Sequence, residues 1–119
     1  MRRIEDALVA LELSILEAAV DLAGRGTREP HGFLLAREMR DRERARRLVG
    51  YGTLYGALER LERRGYLDSR WEDPTAAATE GRPRRRFYRL TVAGETATRD
   101  ARAARTERTT HHPAAVVRT

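Results

Sequence analysis

The segment LVGYGTLYGALERLERRGYL, residues 48–67, decides the fold of this chain. It opens with a glycine-marked turn, and Thr53 follows at the position where a helix N-cap residue would accept a backbone N–H group. Leu54, Leu58 and Leu61 then repeat at the i, i+4, i+7 spacing that places apolar side chains on one stripe of a helix. The segment therefore predicts an amphipathic helix over about 53–64.

The residues after this helix predict a stop and then a strand. Gly65 can adopt the left-handed conformation of a helix C-cap. Residues 66–72 alternate in polarity, with Leu67, Ser69 and Trp71 on one face. A short helix with hydroxyl and aromatic side chains at its start, followed at once by a strand, is typical of a recognition helix that leads into a wing.

The composition favours a small globular protein with a polyanionic partner. The 119 residues suffice for one domain, and 40% hydrophobic with 35% charged residues is unlike a membrane protein. The formal net charge of +6 and the pI of about 10.8 favour nucleic acid as the partner, with solubility alone as the other explanation. The chain has no lysine, and its 24 basic residues are arginines, which make bidentate contacts to phosphate and guanine.

Several classes of site are excluded or unsupported. The chain has no cysteine, which excludes disulfides, thiolate zinc sites and cysteine nucleophiles. His31, His111 and His112 lack metal-binding spacing, and neither a phosphate loop nor a Ser-His-Asp arrangement is present. We therefore expect no metal, no cofactor and no enzymatic activity. Acidic residues in the N-terminal stretch interrupt any signal-peptide or transmembrane run, which predicts a cytoplasmic protein with no membrane partner.

Two further helices are predicted before the central segment. Residues 4–23 carry two apolar stripes, a broader apolar surface than a one-sided helix needs. We therefore expect this first helix to pack against its own domain and against another subunit. Two glycines and a proline in residues 24–30 end it, and a second helix is predicted over 30–41. The charged residues 41–47 fit either a continued helix or a loop.

The C-terminal half predicts a hairpin and a last helix. Residues 73–83 are rich in turn formers and polar residues, as at a hairpin tip, and a second strand is predicted over 84–90, with Tyr88 and Leu90 inward. Thr91 is a plausible N-cap for a helix over 92–108 whose apolar face is mostly alanine, which buries little area. Residues 109–119 predict a disordered tail after a single domain over 1–108. This order of elements is that of a winged helix-turn-helix, mainly α with a small β-hairpin.

Four short motifs resemble the PadR family of transcriptional regulators. They are HGFxLA at 31–36, GTLYxALxxLxxxGYL at 52–67, WE at 71–72 and PRRRFYRLTxxG at 83–94. The resemblance implies a dimeric winged helix-turn-helix repressor in which the N- and C-terminal helices form the dimer. It also implies that a small molecule, often a phenolic acid or a hydrophobic drug-like compound, can release the DNA. The last helix departs from the family because it is rich in alanine and threonine where larger apolar residues are usual.

The start of the third helix holds the first group of candidate DNA contacts. Side chains and backbone N–H groups at Tyr51, Gly52, Thr53 and Tyr55 could reach phosphates and base edges there. Thr53 could also serve as a plain N-cap. Tyr55 points away from the leucine stripe because a helix turns by ~100° per residue, which favours exposure over packing in the core. Arg60 is a further candidate on the same helix, whereas surface ion pairing with Glu59 is the favoured role for Arg63.

The hairpin holds the second group of candidates, Arg82, Arg84, Arg85 and Arg86. A cluster this dense repels itself unless an anion is near, and phosphates or a minor groove would supply one. A solvated charged hairpin is the alternative. Strand alternation places Arg84 and Arg86 on one face and Arg85 on the other, so these arginines could not all contact DNA in the same way.

Two aromatic residues have structural interpretations. His31, at the start of the second helix, is expected to be a structural cap. Trp71 is expected to cover the core, with a stacking surface for an aromatic effector as the alternative.

The sequence thus predicts a homodimeric, sequence-specific DNA-binding repressor with a pseudo-palindromic operator and no identified effector site. A winged-helix dimer that binds a protein or a small molecule, without specific DNA affinity, is the alternative.

Overall fold

A computed structural model describes residues 8–42 and 51–110. The described chain is mainly helical with a two-stranded antiparallel sheet, which confirms the predicted fold class. The elements in chain order are α1 (Ala10–Gly24), α2 (Gly32–Arg42), α3 (Tyr51–Arg63), β1 (Leu67–Trp71), α4 (Pro74–Thr79), β2 (Arg86–Leu90) and α5 (Val92–Thr110). The predicted start of the first helix at residues 4–7, and residues 43–47 of the charged segment, lie outside the described residues.

The leucine stripe of α3 forms the centre of the core. Leu54, Leu58 and Leu61 are each at most 2% exposed, and they pack with Ile15 of α1 and Leu35 of α2 in one hydrophobic cluster. The cluster therefore fixes α3 between the two preceding helices and leaves the other faces of α3 outside the core.

The start of α3 differs from the prediction. The helix already includes Tyr51 and Gly52, so the N-cap prediction for Thr53 is wrong. The prediction placed the turn at Gly52, but a glycine in a helix costs only about 1 kcal/mol relative to alanine. Packing of the following leucines outweighs that cost, and the helix extends through Gly52.

The end of α3 follows the prediction. Gly65 has φ +81, and the N–H group of Tyr66 donates to the carbonyl oxygen of Leu61 at 3.0 Å while that of Gly65 donates to Glu62 at 3.0 Å. These two bonds are those of a left-handed glycine cap. The cap turns the chain directly from α3 into β1, so the hairpin starts beside α3.

The hairpin continues the core at one end and leaves it at the other. Leu67 pairs with Leu90, Ser69 with Tyr88, and Trp71 with Arg86. Leu67 and Tyr88 are buried, whereas Trp71 is 50% exposed. The prediction that Trp71 covers the core is therefore wrong, because the inward face of the sheet extends beyond the helices at this pair.

The segment between the strands contains a short helix that the sequence analysis missed. The carboxylate of Asp73 accepts a hydrogen bond from the backbone N–H of Thr75 at 2.9 Å, and Pro74 occupies the first helical position. Both are strong helix-start signals, and alanines follow them. Because residues 73–83 are rich in turn formers, we predicted only a hairpin tip there and missed α4, a helix of about one and a half turns.

The last helix begins as predicted. Thr91 Oγ1 accepts a hydrogen bond from the backbone N–H of Gly94 at 2.9 Å, which confirms the N-cap. A Cβ atom on Gly94 would lie 2.2 Å from the carbonyl oxygen of Tyr66, so only glycine permits this approach of α5 to the α3–β1 turn. The helix reaches Thr110, beyond the predicted start of the tail, and residues 111–119 lie outside the described residues. Of the helices described, none is both long and apolar enough to span a bilayer.

Candidate nucleic-acid interface

The first turns of α3 present polar and aromatic groups outside the core. Thr53 is exposed, and Tyr55 is 43% exposed with its ring against the α2 backbone. A Cβ atom on Gly32 would lie 2.9 Å from two carbons of that ring, so the glycine creates the space in which Tyr55 lies. Tyr51 and Gly52 are the first described residues of α3. The side chain of Tyr51 is not among those that the structure describes.

Arg60 is held by a buried carboxylate that the sequence analysis did not single out. Glu12 of α1 has a side chain only 4% exposed, and its carboxylate accepts hydrogen bonds from Arg60 Nε at 2.9 Å and from Arg64 Nη1 at 3.2 Å. It also accepts one from the backbone N–H of Val9 at 3.3 Å. Because Arg60 already has an internal anion, DNA would have to share or displace that contact. Glu12 is an acidic residue directly beside the first apolar stripe. Its position there is the sequence signal that could have identified it as a buried carboxylate.

Arg63 forms the ion pair expected on the exposed surface of α3. Its Nη1 lies 3.4 Å from Glu59 Oε2, and both side chains are more than 60% exposed. The predicted i, i+4 pair is thereby confirmed.

Arg82 shapes the loop that precedes β2. Its guanidinium group donates to both oxygens of Glu72, at 2.7 and 2.9 Å, and to Glu80 at 2.9 Å. The hydrogen bonds from Arg82 to Glu72, together with one from the backbone N–H of Arg85, lower the pKa of Glu72 to about 2. The side chain of Arg82 is 21% exposed, so in this structure it fastens the loop, and its predicted role as a DNA contact competes with that structural one.

Arg84 and Arg86 lie against one aromatic ring. The guanidinium carbon of each is 4.9 Å from the centre of the Trp71 indole. Arg86 Nη2 also lies 3.5 Å from Glu62 Oε2 of α3, and Glu62 accepts a short hydrogen bond from Ser69 of β1. These contacts hold the hairpin beside α3.

Arg85 differs from its neighbours. Its backbone N–H is bonded to Glu72, but its guanidinium group has no hydrogen bond or ion pair within the part of the chain that the structure describes. It is exposed on the hairpin and raises the local positive potential enough to contribute to the lowered pKa of His31. Of the four candidate arginines, Arg85 is therefore the most available to an external anion.

His31 caps α2, as the sequence analysis expects. Its Nδ1 accepts a hydrogen bond from the backbone N–H of Leu34 at 3.3 Å. Burial lowers the pKa of His31, and the nearby positive charges of Arg85, Arg82 and Arg37 lower it further. The neutral ring that accepts the bond is thus the favoured form.

A second buried carboxylate joins the first and last helices. Glu17 Oε2 accepts hydrogen bonds from Arg102 Nε at 3.0 Å and Arg105 Nη2 at 2.7 Å. Burial raises the pKa of Glu17, but these two arginines outweigh burial and hold it below its ordinary value. Beside this contact, a shallow groove of about 360 Å³ lies between α1, β2 and α5. Within the described ranges, no group of three acidic or histidine side chains is arranged to hold a metal ion.

One model of a known protein family matches most of this chain. The family model described as the transcriptional regulator PadR-like family matches residues 22–100. No curated protein sequence is significantly similar to the chain.

Solved structures agree with this match. A transcriptional regulator from Clostridium thermocellum is 23% identical, with a TM-score of 0.64 over 90% of this chain and 92% of that one. A PadR-like transcription factor from Bacteroides fragilis is 26% identical, with a TM-score of 0.62 over 82% and 81%. A PadR family regulator from Clostridium difficile is 22% identical, with a TM-score of 0.58 over 77% and 84%.

Proposed function

The chain belongs to the PadR-like family of transcriptional regulators, and on this premise we propose that it is a homodimeric repressor that binds a pseudo-palindromic DNA operator. One observation carries the proposal: α3 exposes Thr53 and Tyr55 near its start, and its last turn contacts, through Glu62, a hairpin that bears three consecutive arginines. A repressor of this kind acts in the cytoplasm and needs no cofactor.

The front of α3 is the proposed base-reading element. An α-helix fits the major groove of B-DNA, and residues at its N-terminal end reach the base edges. Thr53 and Tyr55 supply a hydroxyl each, and the backbone N–H groups of Tyr51 and Gly52 can bind the flanking phosphates. The ring of Tyr55 is fixed against Gly32, so it would enter the groove with little loss of side-chain freedom.

The arginines of the hairpin are the proposed phosphate or minor-groove contacts. Arg85 is the primary contact because its guanidinium group has no hydrogen bond or ion pair among the described residues, and Arg84 and Arg86, both over Trp71, add positive charge to the same hairpin. Arg82 is proposed to act mainly by fixing the loop through Glu72. Arg60 stays a weaker candidate, since it is already paired with Glu12.

A dimer would place two such surfaces on one operator. We propose that α1 and α5 form the dimer, as the family resemblance implies, and that the half-site centres lie about one helical turn, ~34 Å, apart. Release by a small aromatic effector is part of the same proposal, and we assign it no residues.

The test is a fluorescence-anisotropy titration of labelled duplex DNA taken from upstream of the protein's own gene. We expect saturation at two chains per duplex and poor competition by scrambled DNA. Replacing both Arg84 and Arg85 by alanine should weaken binding to all sequences and reduce the slope of log K against log salt by about 0.9 per lost phosphate contact. Arg99→Ala on the exposed surface of α5 is the matched control and should leave the slope unchanged.

Equal competition by scrambled DNA would contradict the operator. It would favour the alternative, a winged-helix dimer that binds a protein or a small molecule. An unchanged salt slope in the Arg84 and Arg85 variant would contradict the role of the hairpin.

A further inference from the structure

We propose that Trp71 is a positioning residue for DNA binding, whose indole ring holds Arg84 and Arg86 ready to bind phosphates of the duplex. This inference rests on the proposed function and adds a residue to it. Trp71 is not among the candidate contacts, and a role in the core is excluded by its exposure.

The geometry around the ring is specific. Trp71 lies directly opposite Arg86 across the hairpin, and the side chain of Arg84 approaches the same ring from the segment before β2. Both guanidinium carbons are 4.9 Å from the ring centre, within the distance at which a cation is attracted to an aromatic face. One half-exposed indole thus organises two arginines that alternation places on one side of the hairpin.

A stacked guanidinium group remains able to bind an anion. Stacking uses the face of the planar group and leaves the N–H groups at its edge, which are the ones that bind phosphate. It also restricts a long side chain that would otherwise lose its rotamer freedom on binding. The indole therefore lowers the entropic cost of binding DNA without occupying the donors.

The charge balance of this cluster identifies a polyanion as the partner. Two like charges share one ring, and only Arg86 has a carboxylate nearby, Glu62 at 3.5 Å. Within the described part of the chain, Arg84 has no ion pair, and Arg85 follows it directly with a further positive charge. A phosphate backbone supplies repeated negative charge at this scale, whereas a neutral aromatic ligand would have to displace an arginine from the ring.

The test compares two substitutions of Trp71 that both leave the net charge unchanged. Trp71→Phe keeps an aromatic face, and Trp71→Leu keeps apolar bulk but removes that face. In the anisotropy titration we expect Trp71→Leu to bind about tenfold more weakly, with a salt slope smaller by one to two units, while Trp71→Phe stays within about threefold of the wild type. Thermal unfolding of each variant checks that the fold is retained.

A mutant cycle separates this role from a general structural one. If Trp71 acts through its two arginines, the variant with Trp71→Leu, Arg84→Ala and Arg86→Ala binds no more weakly than the variant with the two arginine substitutions alone. Trp71 is also the one tryptophan of the chain, so its fluorescence reports on this surface directly. We expect its emission to change when unlabelled duplex is added to the wild type.

The outcomes distinguish this inference from its premise. Equal affinities of Trp71→Leu and Trp71→Phe, or a further loss in the triple variant, would overturn the role of Trp71 while leaving DNA binding intact. Failure of the wild type to bind any duplex would overturn the proposed function, and the role of Trp71 with it.

Discussion

At the residue scale, three carboxylates of low exposure hold five arginines within the fold. Glu12 and Glu17 are buried and hold arginines of α3 and α5, and Glu72 holds Arg82. The arginines of these contacts stabilise the fold. Arg84 and Arg85 of the hairpin have no carboxylate contact among the described residues, so they add positive charge where we propose that a polyanion binds.

His31 makes the stability of the fold depend on pH. The structure favours its neutral form, because burial and the charges of Arg85, Arg82 and Arg37 depress its pKa, against a smaller opposite effect of Glu72. A histidine with a pKa below that of the unfolded chain, about 6.5, contributes its full stability above that pH and loses it as the pH falls further. Protonated Nδ1 could no longer accept the bond from Leu34.

We therefore expect the free energy of unfolding of the wild type, measured in urea, to decrease by up to about 1 kcal/mol, the contribution of an N-cap, as the pH is lowered from 7.5 to 5.5. Asparagine also caps helices and does not titrate, so His31→Asn should show a smaller pH dependence. The same pH dependence in both proteins would contradict the assignment.

At the element scale, α1 fastens the helices on which the function depends. Its two buried carboxylates lie five residues apart. Glu12 binds Arg60 of α3 and Arg64, the residue that follows α3, and Glu17 binds Arg102 and Arg105 of α5. The ion pairs thus hold both α3 and the last helix against α1. Apolar packing alone would resist rotation of α3 less strongly, because hydrophobic contact is not directional.

We expect Glu12→Gln to lower the free energy of unfolding by about 2 kcal/mol, since hydrogen bonds to charged groups are worth about that much. Glu59→Gln is the matched control. Glu59 also pairs with an arginine, but its side chain is 69% exposed, and a surface pair contributes at most about 1 kcal/mol. Chemical denaturation of both variants gives the comparison, and equal losses would show that the buried pair has no special weight.

Local signals in the sequence predicted most of the fold. The leucine stripe of α3, the cap at Gly65 and the N-cap at Thr91 each depend on residues within one turn of one another, and each is confirmed. The pairing of Glu12 with Arg60 joins residues 48 positions apart, and no local pattern contains it. The short helix α4 was missed because its start signals lie within a turn-rich segment.

The sequence indicated which residues are candidates for the site, but it did not show how they are arranged. The sequence singled out the arginines of the hairpin, yet it could not show which of them already had partners. The sequence pattern does not distinguish Arg82 from Arg85. In the fold, Arg82 contacts Glu72 and Glu80, whereas Arg85 is left exposed. Trp71 is exposed because the sheet extends beyond the helices at its position. That extension depends on the whole hairpin and not on residues next to Trp71 in sequence.

At the scale of the whole molecule, the proposed surface combines α3 and the hairpin as one unit. Glu62 of α3 contacts both Ser69 and Arg86, so a displacement of one element moves the other. We propose that two such units in a dimer read one operator. The alternative surface for a ligand is the groove between α1, β2 and α5, lined in part by Thr98, Arg99 and Arg102.

The most direct test is a pair of ¹H–¹⁵N NMR spectra of the protein, alone and with the upstream duplex. We predict that the largest shifts occur at the backbone amides of Thr53 and Tyr55, at the Nε–H groups of Arg84 and Arg85, and at the indole N–H of Trp71. Shifts concentrated at Thr98, Arg99 and Arg102, or no shifts at saturating DNA, would contradict the account.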